Sequence, residues 1–168
     1  MYLICITITT DASFCHHTKA SGWAFRIKSN KFDINRSGNF KRTVRSADDA
    51  ETYCIINALF TLLKTMRENN AKAKYIIVNT DSTVSIGRMN WTYKGLKKHK
   101  NKNLGKAINI LKKIRNKCQV LEFRHVKAHS GIENKRSYAN EWCDREAKIK
   151  MRQERKIINQ KTNAKIHE

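Results

Sequence analysis

The hydrophobic periodicity of this chain changes character near residue 46, and that change limits the folds open to it. Before it come short segments with strand character; after it, helical stripes alternate with short apolar runs. Tyr2–Thr9 is expected as the first strand, with Leu3 and Cys5 on one face and Ile4, Ile6 and Ile8 on the other. Trp23–Lys28 and Phe40–Arg45 are expected as the second and third, joined by a loop that holds Asn30, Asp33, Asn35 and Gly38. Three strands in succession predict an antiparallel meander. From Ala47 to about Arg67, the residues Ile55, Ala58, Leu59, Leu62 and Met66 recur at threes and fours, as on one face of a helix. Ser46 suits its N-cap, and Asp48, Asp49 and Glu51 place negative charge where the helix dipole favours it. Tyr75–Asn79 reads as a strand buried on both faces, followed by a helix from about Ser82 to Met89. Leu104–Lys117 is a further helix, Val120–Val126 a fifth strand, and a terminal helix begins near Ala139. The order β-β-β-α-β-α-α-β-α predicts an α/β fold with a mixed sheet and helices on its faces.

A chain of 168 residues with 40% apolar content can bury one ordinary core. It has no proline, no Gly/Ser-rich linker and no internal repeat, so one domain is expected over residues 1–150. Residues 151–168, with Arg152, Arg155, Lys156, Lys161 and Lys165, are expected as a basic C-terminal helical extension or tail, solvated or frayed. No apolar run approaches 18 residues, and Met1–Ile8 lacks the basic start of a signal peptide, so no membrane association is expected. The five cysteines are odd in number and without a CxxC pair, which suggests reduced thiols in a cytoplasmic compartment. A zinc cluster of Cys15, His16, His17 and Cys143 is conceivable, but its spacing matches no common site. Thirty-five Lys and Arg against 14 Asp and Glu give a net charge of +21, and a chain so basic attracts nucleic acid before other partners.

Against that background the six aspartates stand out. Asp11 is expected just past the first strand, in Thr10-Asp11-Ala12-Ser13, and Asp81 just past the fourth, in Asn79-Thr80-Asp81-Ser82. If those strands are neighbours, both acids reach one edge of the sheet, where open α/β sheets place their sites. Glu51 shares a helical stripe with Ile55, Ala58 and Leu62, so it points at the sheet and not at water. Asp144 lies on the terminal helix one turn after Asn140. Each acid alone has an ordinary reading: a turn residue, a helix cap, dipole compensation, an exposed helical acid. Together they would converge, and converging carboxylates repel unless a cation lies among them. An all-oxygen cluster suits Mg²⁺ or Mn²⁺, and a pair of such ions can activate water and stabilise a leaving oxygen in phosphodiester hydrolysis. His129, in Val126-Lys127-Ala128-His129-Ser130-Gly131, is either a surface imidazole or a proton carrier beside that cluster. His125, within the fifth strand, reads as structural.

These stretches, with Ser21-Gly22-Trp23-Ala24 and Asn140-Glu141-Trp142-Cys143-Asp144, resemble the type 1 ribonuclease H family over about residues 1–150. The resemblance implies a five-stranded mixed sheet with helices on both faces. It implies two Mg²⁺ held by Asp11, Glu51, Asp81 and Asp144, with His129 assisting turnover. It also implies an RNA–DNA hybrid as partner, with the RNA strand cut, by a protein expected to be a monomer. Met89–Lys106 carries Trp91, Tyr93, His99 and six lysines, including Lys94, Lys97 and Lys98. It looks like a basic protrusion that grips the duplex, where a solvated loop is the plainer reading. Ser13, Ser46, Thr83 and Asn140 complete the residues expected to face substrate.

The chain departs from the family's pattern at several points. Phe14-Cys15-His16-His17-Thr18 replaces a Gly-rich loop, Ser46-Ala47-Asp48 stands where asparagines are common, and Thr83 stands where glutamine is common. The interval from His129 to Asp144 is also long. Two other readings of the residues stay open: a nuclease of the same fold acting on DNA, resolvase- or integrase-like, and a non-catalytic basic module that binds hybrid or RNA.

Overall fold

The computed structural model describes residues 1–90, 102–126 and 135–166. Its elements are β1 (Tyr2–Phe14), β2 (Ser21–Lys28), β3 (Asp33–Asn39), α1 (Ala47–Glu68), β4 (Lys72–Thr80), α2 (Thr83–Asn90), α3 (Lys102–Arg115), β5 (Cys118–His125) and α4 (Lys135–Ile166). The sheet order is β3-β2-β1-β4-β5. β1, β2 and β3 form the antiparallel meander, while β4 and β5 run parallel to β1. This is the mixed five-stranded sheet the element order predicts.

The two faces are sealed differently. Ile6, Ile8, Phe25, Ile27, Ile76 and Val78 meet Ile55, Leu59 and Leu62 of α1, and α3 adds Leu111 and Ile114. On the opposite face α4 lays Cys143 and Ala147 against Ala24. At Gly22 the backbone of α4 comes so near that an added Cβ would stand 2.5 Å from the Met151 nitrogen and closer still to the Ala147 carbonyl. Among the described residues no helix is long and apolar enough to cross a membrane.

Ser46 caps α1 as its sequence predicts, its hydroxyl accepting from the Asp49 N–H at 3.2 Å. Ser46→Ala should therefore lower stability by about 1 kcal/mol, the usual cost of losing an N-cap, measured as a shift in the urea midpoint at constant slope.

Four expectations need correction. The third strand is Asp33–Asn39 and not Phe40–Arg45. It is an edge strand of mostly polar residues, so its place is fixed by the ladder to β2 and not by alternation. Phe40 and Val44 are buried from a loop instead, with Phe40 edge-on to Tyr53. β1 runs five residues beyond Thr9, so Asp11 is inside a strand and not after one. Ile4 is 73% exposed, whereas Leu3 joins Ile6 and Ile8 in the core. Strict alternation breaks there, and it breaks beside it too, where Ala73 and Ile76 are both buried in β4. Finally, α4 begins earlier than Ala139; past residue 151, where a helical extension or tail was expected, it runs on as helix to Ile166. The residues just past 151 are held in place, for the Glu154 carboxylate accepts the Ser21 N–H.

Candidate active site

Asp11 is placed by a mismatch between strand lengths. β1 pairs with β4 up to Thr9 opposite Asn79, whereas its pairing with β2 continues through Asp11 opposite Ala24. Beyond Thr9, β1 has no strand partner on its β4 side among the described residues, and β4 itself ends at Thr80, one residue before Asp81. Asp81 is held by its backbone: the His125 ring meets its carbonyl at 3.1 Å, and the Ser82 N–H donates to Thr80 Oγ1 at 3.2 Å. The third acid, Glu51, comes down from the first turns of α1. One N–H serves two of these carboxylates, since Ala12 donates to Asp11 Oδ1 at 2.7 Å and to Glu51 Oε1 at 2.9 Å.

One carboxylate oxygen each from Asp11, Glu51 and Asp81 lie within 4.8 Å of one another. Asp11 is 7% exposed, and Glu51 is half-buried with its Oε2 sealed from solvent and, among the described residues, without a hydrogen-bond partner. A buried carboxylate oxygen left unsatisfied beside two more acids is costly unless a cation completes it. The donor set is all oxygen and anionic, which fits a hard divalent ion. Among the described residues this is the only cluster with such capacity. The conceivable zinc set does not form there: Cys143 is sealed under α4, donating to the Thr9 carbonyl at 3.5 Å, and Cys15 lies in the β1–β2 turn.

Burial, reinforced by repulsion from Asp81 and then Asp144, pushes the Asp11 carboxyl up to about 7. Burial first, then Asp11 and Asp81, pushes Glu51 higher still. Both groups bind protons more tightly folded than unfolded. Their contribution to stability is thus complete below about pH 4, the ordinary carboxylate range, and for Asp11 is lost as pH rises to about 7. Metal-free protein should lose thermal stability over that window relative to Asp11→Asn, and millimolar Mg²⁺ should suppress the loss; melting in EDTA and in Mg²⁺ across the range checks this.

The fourth acid, Asp144, stands outside the close trio. It is near enough to raise the Asp11 pKa, but its carboxylate is paired with Lys148 one turn later at 2.8 Å. Of the other anticipated residues, Asn140 is buried on α4 and Ser13 is half-buried in β1 opposite Gly22. Ser46 is engaged in capping, and Thr83 is exposed at the start of α2. His129, Trp91, Lys94, Lys97 and Lys98 lie outside the described residues.

Two supports of the site have no signal in the sequence. The Cys54 thiol, at the base of α1, donates to the carbonyls of Asp11 at 3.3 Å and Ala24 at 3.2 Å. With Cys143 on the other face, two buried thiols grip the Thr9–Asp11 segment from opposite sides of the sheet. A buried cysteine reads as a small apolar residue until its neighbours are known.

The family model for RNase H matches residues 5–152. The chain belongs to the RNase H family. That family is one of nucleases that normally use divalent metal ions, and RNase H domains are among this chain's structural likenesses. One is the N-terminal RNase H domain of Rv2228c from Mycobacterium tuberculosis, solved as a fusion with maltose-binding protein. It is 16% identical with a TM-score of 0.62, over 95% of this chain and 99% of that one. Another is LC11-RNase H1 in complex with an RNA/DNA hybrid, 22% identical with a TM-score of 0.57, over 82% of this chain and 93% of that one. LC11-RNase H1 isolated from compost by a metagenomic approach is 21% identical, with a TM-score of 0.56, over 85% and 95% of the two chains. A search of curated protein sequences finds no match. The RNase H match ends at residue 152, whereas α4 continues to Ile166.

Proposed function

We propose that this RNase H protein hydrolyses the RNA strand of RNA–DNA hybrids with two divalent metal ions. The observation that carries the reading is the Asp11–Glu51–Asp81 cluster, with its buried unpartnered Glu51 oxygen at the end of the parallel strands. In this reading Asp11, Glu51, Asp81 and Asp144 would hold the ions, the Asp144 carboxylate being the one already paired with a cation, Lys148. When bound, Mg²⁺ or Mn²⁺ lowers the pKa of a water and stabilises the leaving oxygen. The chain's own part is to fix the carboxylates. Ala12 N–H orients two of them at once, and the thiols of Cys54 and Cys143 hold the strand beneath. His129 is assigned the handling of a proton at the leaving group. The lysines at 94, 97 and 98, with Trp91, are assigned the duplex grip, by counterion release and stacking. Ser13, Thr83 and Asn140 are assigned contacts to the substrate near the cluster.

The deciding experiment offers end-labelled hybrid, single-stranded RNA, double-stranded RNA and duplex DNA side by side, with Mg²⁺, Mn²⁺ or EDTA. Cleavage confined to the RNA strand of the hybrid, and abolished by EDTA, is the expected pattern. Equal cutting of duplex or branched DNA would replace the substrate class, and tight salt-sensitive binding without any cleavage would replace the enzyme with a binding module.

A further inference from the structure

A buried polar chain joins the helix that carries Glu51 to the turn that carries Asp81. Thr52, next to Glu51, and Ser85, four residues after Asp81, are 1% and 0% exposed. Their hydroxyl oxygens lie 3.1 Å apart. The directions of these bonds follow from proton supply. The Thr52 hydroxyl gives its one proton to the Asp48 carbonyl at 2.7 Å, so towards Ser85 it can only accept. Ser85 then donates to Thr52 and itself accepts from the Ser82 hydroxyl at 2.9 Å. Ser82 in turn accepts the Ser85 N–H at 3.1 Å, capping α2. Every proton in the series has a single place to go, running from Ser82 through Ser85 and Thr52 to the backbone of α1.

Arg88 closes this chain from outside. Its Nη1 donates to the Asp48 carbonyl at 3.1 Å, to Asp49 Oδ1 at 3.1 Å and to Thr52 Oγ1 at 3.0 Å. The guanidinium and its Asp49 partner are about one quarter exposed, so the pair is partly shielded from water. A surface ion pair contributes little by itself. This one also satisfies a backbone carbonyl and a buried hydroxyl, and so ties α2 to the first turns of α1. Among the described residues none of these groups hydrogen-bonds to the clustered carboxylates. They bracket the cluster, with Thr52 beside Glu51 and Ser82 beside Asp81.

We infer that Arg88, Thr52 and Ser85 are positioning residues that set the spacing between the Glu51 and Asp81 carboxylates, and with it the affinity of the cluster for a divalent cation. The inference rests on the reading of the cluster as a metal site. Its mechanism is that of an outer shell: groups that do not touch the ion hold the elements that do, and loss of such support typically weakens metal binding by about tenfold or more.

The test is a Mn²⁺ titration of substrate-free protein, following free Mn²⁺ by electron paramagnetic resonance, for wild type, Arg88→Met, Arg88→Lys, Thr52→Val and Ser85→Ala. Arg88→Met and Thr52→Val should weaken Mn²⁺ binding about tenfold, and Arg88→Lys should recover part of the loss. On hybrid, the same variants should lose kcat at limiting metal with KM for the nucleic acid unchanged. Ser85→Ala serves where a larger change prevents folding. Wild-type Mn²⁺ affinity in folded Arg88→Met and Thr52→Val overturns the inference, as does a lowered melting temperature with metal affinity intact. A wild-type protein that takes up no Mn²⁺ fails one step earlier, and overturns the metal-site reading itself.

Discussion

Asp11→Asn should abolish hybrid cleavage, by on the order of 10³-fold or more, while raising the melting temperature of the metal-free protein. The two effects have one cause. Asn keeps the shape of the side chain and can still accept the Ala12 N–H through its oxygen, so the local structure survives. What disappears is the charge. Asp11 is buried, and Asp81 and Asp144 both work against its ionisation. Removing that carboxylate relieves repulsion in a site that the fold must otherwise tolerate, and it takes away one donor for a cation. Single-turnover cleavage of a hybrid labelled on the RNA strand, alongside thermal unfolding in EDTA, measures both. Cleavage within tenfold of wild type would remove Asp11 from the chemistry, and a lowered melting temperature would show that its role is structural.

The second large effect concerns stability, at a residue with no chemistry at all. Gly22→Ala should destabilise the protein by about 3 kcal/mol, because overpacking against backbone cannot be relieved by a rotamer change. A single methyl at Gly22 would collide with the Ala147 carbonyl and the Met151 nitrogen of α4. To admit it, α4 must lift from β2, and the helix also carries Asp144, Cys143 and the Glu154 contact to Ser21. Cleavage should therefore fall together with stability, unlike the opposed changes at Asp11. An unchanged urea midpoint in Gly22→Ala would mean that the helix has slack at this crossing.

The parts of the site visible in the sequence are those governed by local rules. Glu51 declared itself through a stripe: offsets of 4, 7 and 11 to Ile55, Ala58 and Leu62 leave it no route but inward. Asp81 follows an apolar run with strand character; the structure ends β4 one residue before it, but leaves Tyr75 exposed, so the run is not buried on both faces as expected. The parts not visible depend on pairing between distant segments. Asp33–Asn39 has too little alternation to announce a strand, and exists because β2 offers it an edge. The continuation of β1 through Asp11 likewise depends on β2 rather than on its own Thr and Asp residues. Asp144 was expected to sit with the other three acids. Its carboxylate pairs with Lys148, four residues on along the same helix face, a partner that the spacing offers and that competed with the cluster for Asp144. The hydroxyls of Thr52 and Ser85 carry no signal at all, because a buried Thr or Ser is indistinguishable from a surface one until its partner is known.

The unequal pairing of β1 has a consequence for which insertions and deletions this chain can accept. Side chains along a strand alternate between its two faces, so adding or removing one residue between Cys5 and Thr10 would either turn Asp11 to the other face of the sheet or force a bulge into a ladder paired on both sides. The β1–β2 turn at Cys15–Ala20 is free of that constraint, since lengthening it leaves the pairing of Asp11 with Ala24 untouched. Length variation among relatives should therefore collect in that turn and be missing from the few residues before the acid, and a designed one-residue insertion on either side of Asp11 would separate the two cases in a single experiment.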